Sequence, residues 1–88
     1  MTWRIDISSR ASKTLAKLDN RAKQKITAFL TQQLPNMAQP RQTGKALQGN
    51  LSGLWRYRVG DYRIITQIKD NELIILVIEI DHRKDIYR

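Results

Sequence analysis

The sequence predicts an α+β fold: two N-terminal helices packed on one face of a small, mostly antiparallel four-stranded sheet, in the order β-α-α-β-β-β. Three observations predict it. Apolar residues recur at helical spacing between residues 9 and 34. The last third switches to strand-like runs separated by two-residue turn signals. Between them, residues 35–53 hold both prolines and three of the four glycines, as a loop would. With 88 residues there is no room for a second core, so residues 1–88 are expected to form one domain.

The elements follow in order. Residues 2–7 alternate as a short strand, with Trp3, Ile5 and Ile7 on one side and Arg4 and Asp6 on the other. Ser8-Ser9 offers a helix N-cap, and Ala11, Leu15 and Leu18 follow at helical spacing. Asp19-Asn20 ends that helix and can cap the next. Ala22, Ile26, Phe29, Leu30 and Leu34 form the second apolar stripe, which Pro35 stops. Within the loop, Leu47 is the expected apolar anchor. Leu54–Val59, Tyr62–Lys69 and Glu72–Ile80 read as three strands, joined at Gly60-Asp61 and Asp70-Asn71. The run Leu73–Ile80 is almost wholly apolar, which predicts a central strand buried on both faces.

Charge narrows the function classes. Sixteen Lys and Arg against eight Asp and Glu give +8 at pH 7, pointing to a polyanionic partner. There is no Cys, and the lone His82 cannot hold a metal by itself, so no metal site and no cofactor are expected. No apolar run approaches the ~20 residues of a membrane span, and no signal peptide is visible, so a cytoplasmic protein with no membrane role is expected.

The register of the first hairpin can be worked out. A two-residue Gly60-Asp61 turn sets Val59 opposite Tyr62, Arg58 opposite Arg63, Tyr57 opposite Ile64 and Arg56 opposite Ile65. Arg56, Arg58 and Arg63 then share one face, while Trp55, Tyr57, Val59, Tyr62 and Ile64 pack under the helices. Like charges directly across a strand pair destabilise it. An anion between Arg58 and Arg63 removes the penalty, and guanidinium groups match phosphate oxygens in pairs. The alternative is pairing of these arginines with Glu79, Asp61 or Asp85. The third strand returns antiparallel, so Asp81-His82-Arg83 is expected near Arg63. His82 is a candidate general acid or base, or simply a polar residue leaving the strand. Tyr87, in the tail Lys84–Arg88, is placed either to stack a nucleobase or to cover the sheet edge. Arg41, Lys45, Arg56, Lys84 and Arg88 are the further candidate RNA contacts.

The segment Leu47–Ile65, with its Gly60-Asp61-Tyr62-Arg63 turn, resembles the core signature of the RelE/ParE toxin superfamily. Ile80-Asp81-His82-Arg83-Lys84-Asp85-Ile86-Tyr87 resembles the closing signature of its RelE branch. The resemblance implies the toxin of a type II toxin–antitoxin system. Such a toxin is a metal-independent endoribonuclease (an mRNA interferase) that enters the ribosomal A site and cuts mRNA by 2′-hydroxyl attack. It also implies an acidic, RelB-like antitoxin that masks the basic face, with operator DNA reached only through the toxin–antitoxin complex. By position, Arg63 matches the arginine that holds the scissile phosphate, Arg83 the arginine near the leaving oxygen, and Tyr87 the stacking tyrosine. Arg56 and Arg58 fall where the best-studied branch has lysines. Arginine stays protonated, so Arg58 is a poor general base. Either His82 takes that role or the reaction relies on electrostatic stabilisation and orientation. Two alternatives remain: a ParE-type inhibitor of DNA gyrase, against which the His82-Arg83…Tyr87 ending argues, and a non-catalytic RNA-binding module.

Overall fold

The structure is a computed structural model that describes residues 2–82. Strand β1 (Arg4–Ile7) leads into helix α1 (Ser9–Lys17), followed by α2 (Asn20–Ala28), β2 (Lys45–Ala46), β3 (Trp55–Val59), β4 (Tyr62–Lys69) and β5 (Ile74–His82). The strands form one sheet in the order β1-β5-β4-β3-β2. Only β1 and β5 run parallel; the other pairs are antiparallel. The sheet thus has five strands where sequence patterning predicts four. The addition is β2, whose Lys45 and Ala46 pair with Arg56 and Trp55. Two residues are too few to show an alternation.

Both helix starts are capped as their sequences predict. Ser8 Oγ accepts from the Ala11 N–H at 3.0 Å, and Asp19 Oδ1 from the Ala22 N–H at 2.8 Å. Beyond Ala28 the second helix widens into a π-turn at Phe29–Gln33 and tightens at Leu34–Asn36, around Pro35. Trp3, Ala11, Ile26, Phe29, Leu30 and Leu34 bury themselves against Tyr57, Ile64, Ile75, Val77 and Ile80. Each fully buried Leu or Ile side chain is worth about 1.5–3 kcal/mol.

The β3–β4 register is the one worked out above, from Val59 opposite Tyr62 to Arg56 opposite Ile65. Gly60, at φ 59, takes the left-handed first position of this turn, where a Cβ would be strained. The β4–β5 connection differs from its prediction. Lys69 pairs with Ile74, leaving four residues, Asp70–Leu73, rather than the two of Asp70-Asn71. Leu73 itself turns the chain in a left-handed conformation at φ 54. Strand β5 lies between β1 and β4 rather than at the centre of the sheet, which β4 occupies, and it is fully buried on only one face: Ile75, Val77 and Ile80 are buried, whereas Ile74, Leu76 and Ile78 are half-buried.

Strand β5 also contains a bulge. Thr66 pairs with Val77 but Ile65 pairs with Glu79, so Ile78 has no partner on β4. Ser8 clamps this irregularity: its N–H donates to the Val77 carbonyl at 2.9 Å and its hydroxyl to the Ile78 carbonyl at 2.6 Å. One residue therefore caps α1 and fixes the bulge.

The loop before β3 is held by polar ties. Tyr57 donates its phenol to the Pro40 carbonyl, and Trp55 Nε1 donates to the Thr43 carbonyl at 2.7 Å. Leu47, the expected apolar anchor, is only half-buried. Gly44 lies so close to β3 that a Cβ would sit 2.4 Å from the Arg56 carbonyl oxygen. Among the described residues no helix is long and apolar enough to cross a membrane.

Candidate nucleic-acid interface

The sheet face away from the helices carries two rows of side chains. The first runs Lys45, Arg56, Ile65, Glu79 across β2, β3, β4 and β5. The second runs Arg58, Arg63, Asp81 across β3, β4 and β5. Directly paired residues point to the same side of a sheet, so each row shares that face. Both rows are basic toward β3 and acidic at β5.

Four of the sequence-predicted site residues, Lys45, Arg56, Arg58 and Arg63, are thereby brought together. Among the described residues, Lys45, Arg56 and Arg58 make no ion pair. Arg63 Nη2 lies 3.7 Å from Asp81 Oδ2, a loose contact, and Arg63 Nε is buried with no hydrogen-bond partner. A buried, unmade donor of this kind costs about 1–3 kcal/mol. Glu79 is held by Arg10 of α1 at 2.9 Å. The alternative of Arg63 pairing with Glu79 or Asp61 is therefore not what the structure adopts; its acidic neighbour is Asp81.

Beside the basic rows, β2 ends early and leaves a groove of about 420 Å³ along β3. Its lining mixes the cationic Lys45, Arg56 and Arg58 with the apolar Phe29 and Met37 and the ring of Tyr57. Such a concavity, with cationic and apolar groups together in its lining, suits a phosphate-bearing chain with a base or aromatic group to cover.

Two candidates fall elsewhere. His82 pairs with Tyr62, on the helix face, and its ring meets the Tyr62 ring edge-on at 4.8 Å. It lies among Arg21, Lys25 and Asp61, across the sheet from Arg58 and Arg63. The expectation that His82 joins the arginine face is corrected by the bulge, which sets Asp81 on that face and His82 on the other. Arg41 is likewise withdrawn from the basic face. Its Nη1 and Nη2 grip Asp70 at 2.7 and 2.9 Å, tying the loop to the β4–β5 turn. That two-pronged contact raises the Arg41 guanidinium pKa and lowers that of the Asp70 carboxyl. Nearby, burial pushes the Tyr57 phenol up to about 12, an effect the Arg41 charge only partly offsets. Arg83, Lys84, Tyr87 and Arg88, with Asp85, lie outside the described residues.

Asp81 is the site residue that sequence reasoning did not single out. Simple alternation from Ile75 and Val77 assigns it to the helix face, and nothing in the sequence marks the bulge that moves it.

Comparison with known proteins decides the family. The sequence model described as the ParE toxin of the type II toxin–antitoxin system parDE matches residues 5–87. The chain belongs to this family of toxins. It is also 31% identical to the toxin RelG of Mycobacterium tuberculosis, over the whole of this chain and 99% of that protein. The fold is similar to a chain of the RelBE2 toxin–antitoxin complex from Mycobacterium tuberculosis, with TM-score 0.85, 26% identity, and coverage of 94% of this chain and 93% of that one. It is similar, too, to a chain of the archaeal RelE–RelB complex from Pyrococcus horikoshii, with TM-score 0.74, 26% identity, and coverage of 94% and 97%. The toxin thus matches a ParE-named family by sequence model and RelE-named relatives by identity and fold.

Proposed function

We infer that this toxin is a ribosome-dependent endoribonuclease that cleaves mRNA in the cytoplasm and so stops translation. The observation that carries the reading is Arg58 facing Arg63 across the hairpin, with Arg63 Nε left without a partner. Two guanidinium groups on a paired strand, with Asp81 alone to balance their row among the described residues, suit a phosphodiester. Each can offer paired donors to phosphate oxygens, and the charge of those oxygens grows as the phosphorus becomes five-coordinate. Arg56 and Lys45, one row away, are placed to hold the flanking backbone.

The reaction suited to this face is attack of the RNA 2′-hydroxyl on its own 3′-phosphate, giving a cyclic phosphate and a 5′-hydroxyl. It needs orientation and charge stabilisation, which arginines supply, and no metal. Arg83 near the leaving oxygen and Tyr87 stacking a base belong to the same reading through the family resemblance, as do Lys84 and Arg88 as backbone contacts. An acidic RelB-like antitoxin is the expected partner. It would cover the basic rows and carry the complex to operator DNA.

A second reading, inhibition of DNA gyrase without RNA cleavage, is favoured by the name of the matching family. Pulse-labelling after induction separates the two. Protein synthesis falling first, with cleaved mRNA ending in 3′-phosphate or cyclic phosphate, supports the ribonuclease. DNA synthesis falling first, with intact mRNA, supports gyrase.

A further inference from the structure

We propose that Asp81 is the catalytic residue that takes the proton from the attacking 2′-hydroxyl, a role that rests on the ribonuclease reading above. The arginine pair needs a proton acceptor, and Arg56, Arg58 and Arg63 cannot be one, because arginine stays protonated; Lys45 is exposed on the short strand β2, one row away against Arg56 rather than in the row of Arg58 and Arg63. His82, whose side chain is the natural candidate by type, lies on the other side of the sheet, paired with Tyr62. Two carboxylates remain on the face among the described residues. Glu79 is already held by Arg10 at 2.9 Å. Asp81 stands directly across from Arg63, with Oδ2 3.7 Å from Nη2 and about a quarter of its side chain (27%) exposed.

The position suits the chemistry. The 2′-hydroxyl and the phosphate it attacks hang from adjacent ribose carbons. A base serving that hydroxyl must therefore sit beside the group holding the phosphate, and Asp81 is the neighbour of Arg63. At 3.7 Å the contact between them is loose, so a phosphate arriving at Arg63 has no close ion pair to displace. Among the described residues, the charged groups around Asp81 are Arg63 on β4, Arg58 one strand further on β3, Glu79 on its own strand, and Arg10 of α1 beyond Glu79.

The step balances without a co-reactant. The 2′-oxygen gives its proton to an Asp81 oxygen, and its lone pair forms the new bond to phosphorus. The bond from phosphorus to the 5′-oxygen breaks, its electron pair stays on that oxygen, and water protonates it. Asp81 returns its proton to solvent.

Asp81→Asn keeps the shape and removes the base. Single-turnover cleavage of ribosome-bound mRNA should fall about 10²–10⁴-fold. Binding to the programmed ribosome should hold or tighten, since a negative charge has gone. Asp81→Glu should recover part of the rate, and added formate should partly restore a folded Asp81→Ala. The parent rate should decline toward acid pH with a limb that Asp81→Asn lacks. An Asp81→Asn protein that cleaves at the parental rate or faster overturns the proposal, leaving Asp81 as a counter-charge for Arg63. So does a folded Asp81→Ala that formate does not revive. In either case Arg63→Ala stays inactive and the ribonuclease reading stands. A parent chain that does not cleave at all overturns both.

Discussion

Arg58 and Arg63 face each other across a hairpin whose turn is only Gly60 and Asp61, so their backbone positions cannot separate without breaking the strand pair. Repulsion between directly opposed like charges costs roughly 0.2–1 kcal/mol. The burial of Arg63 Nε without a partner adds to it.

Arg63→Ala should therefore be at least as stable as the parent in a thermal melt. It should nevertheless lose about 10²–10³ in cleavage rate, the usual cost of deleting one donor to a developing oxyanion. It should still bind the antitoxin. Arg63→Lys should regain part of the activity, because a point charge lacks the paired donors. An early melt, or normal cleavage by Arg63→Ala, would count against the phosphate role.

His82→Gln should cleave within a few-fold of the parent and keep the parental pH profile. His82 points to the helix side, beside Tyr62. A profile that loses its only inflection in this variant would return His82 to the reaction.

Tyr57→Phe should destabilise the fold by about 1–3 kcal/mol at neutral pH, by stripping the Pro40 carbonyl of its buried donor. It should also change the alkaline limb. The folded phenol ionises near 12 rather than its ordinary 10.0, so the neutral form is the one folding favours. That stabilisation is complete below pH 10 and is lost as pH rises from 10 toward 12. Chemical denaturation across this range should show a steeper loss for the parent than for Tyr57→Phe.

Breaking the Arg41–Asp70 pair tests the opposite expectation. Both side chains are about half exposed, at 48% and 58%, so Arg41→Ala should lower the melting temperature only slightly and leave cleavage intact. The Asp70 carboxyl is held below its ordinary range by Arg41. Its contribution to stability is present above the ordinary carboxylate range and fades as pH falls through its depressed one. The difference between parent and Arg41→Ala should vanish in acid.

Much of this fold was legible in the sequence because its informative features are local. A two-residue turn fixes register, and register with a period of two assigns every side chain of β3 and β4 to a face. Ser8 and Asp19 announce the helix starts by their own chemistry. What was not legible depends on partners far along the chain. Arg41 looks like a free cation until Asp70, 29 residues on, is seen to hold it. β2 exists only because Trp55 and Arg56 offer it an edge. His82 and Asp81 exchange faces because one residue, Ile78, drops out of the ladder.

The unpaired Ile78 also says where evolution can edit the length of this chain. The two halves of β5 are read in different frames, joined at Ile78. A homologue lacking that one residue would still set Asp81 against Arg63, since the pairings on either side already fit a regular β4. The same deletion between Glu79 and His82 would carry the residues beyond it to the opposite side of the sheet. Alignments of relatives should therefore tolerate a single gap at the bulge and reject one in the next four positions.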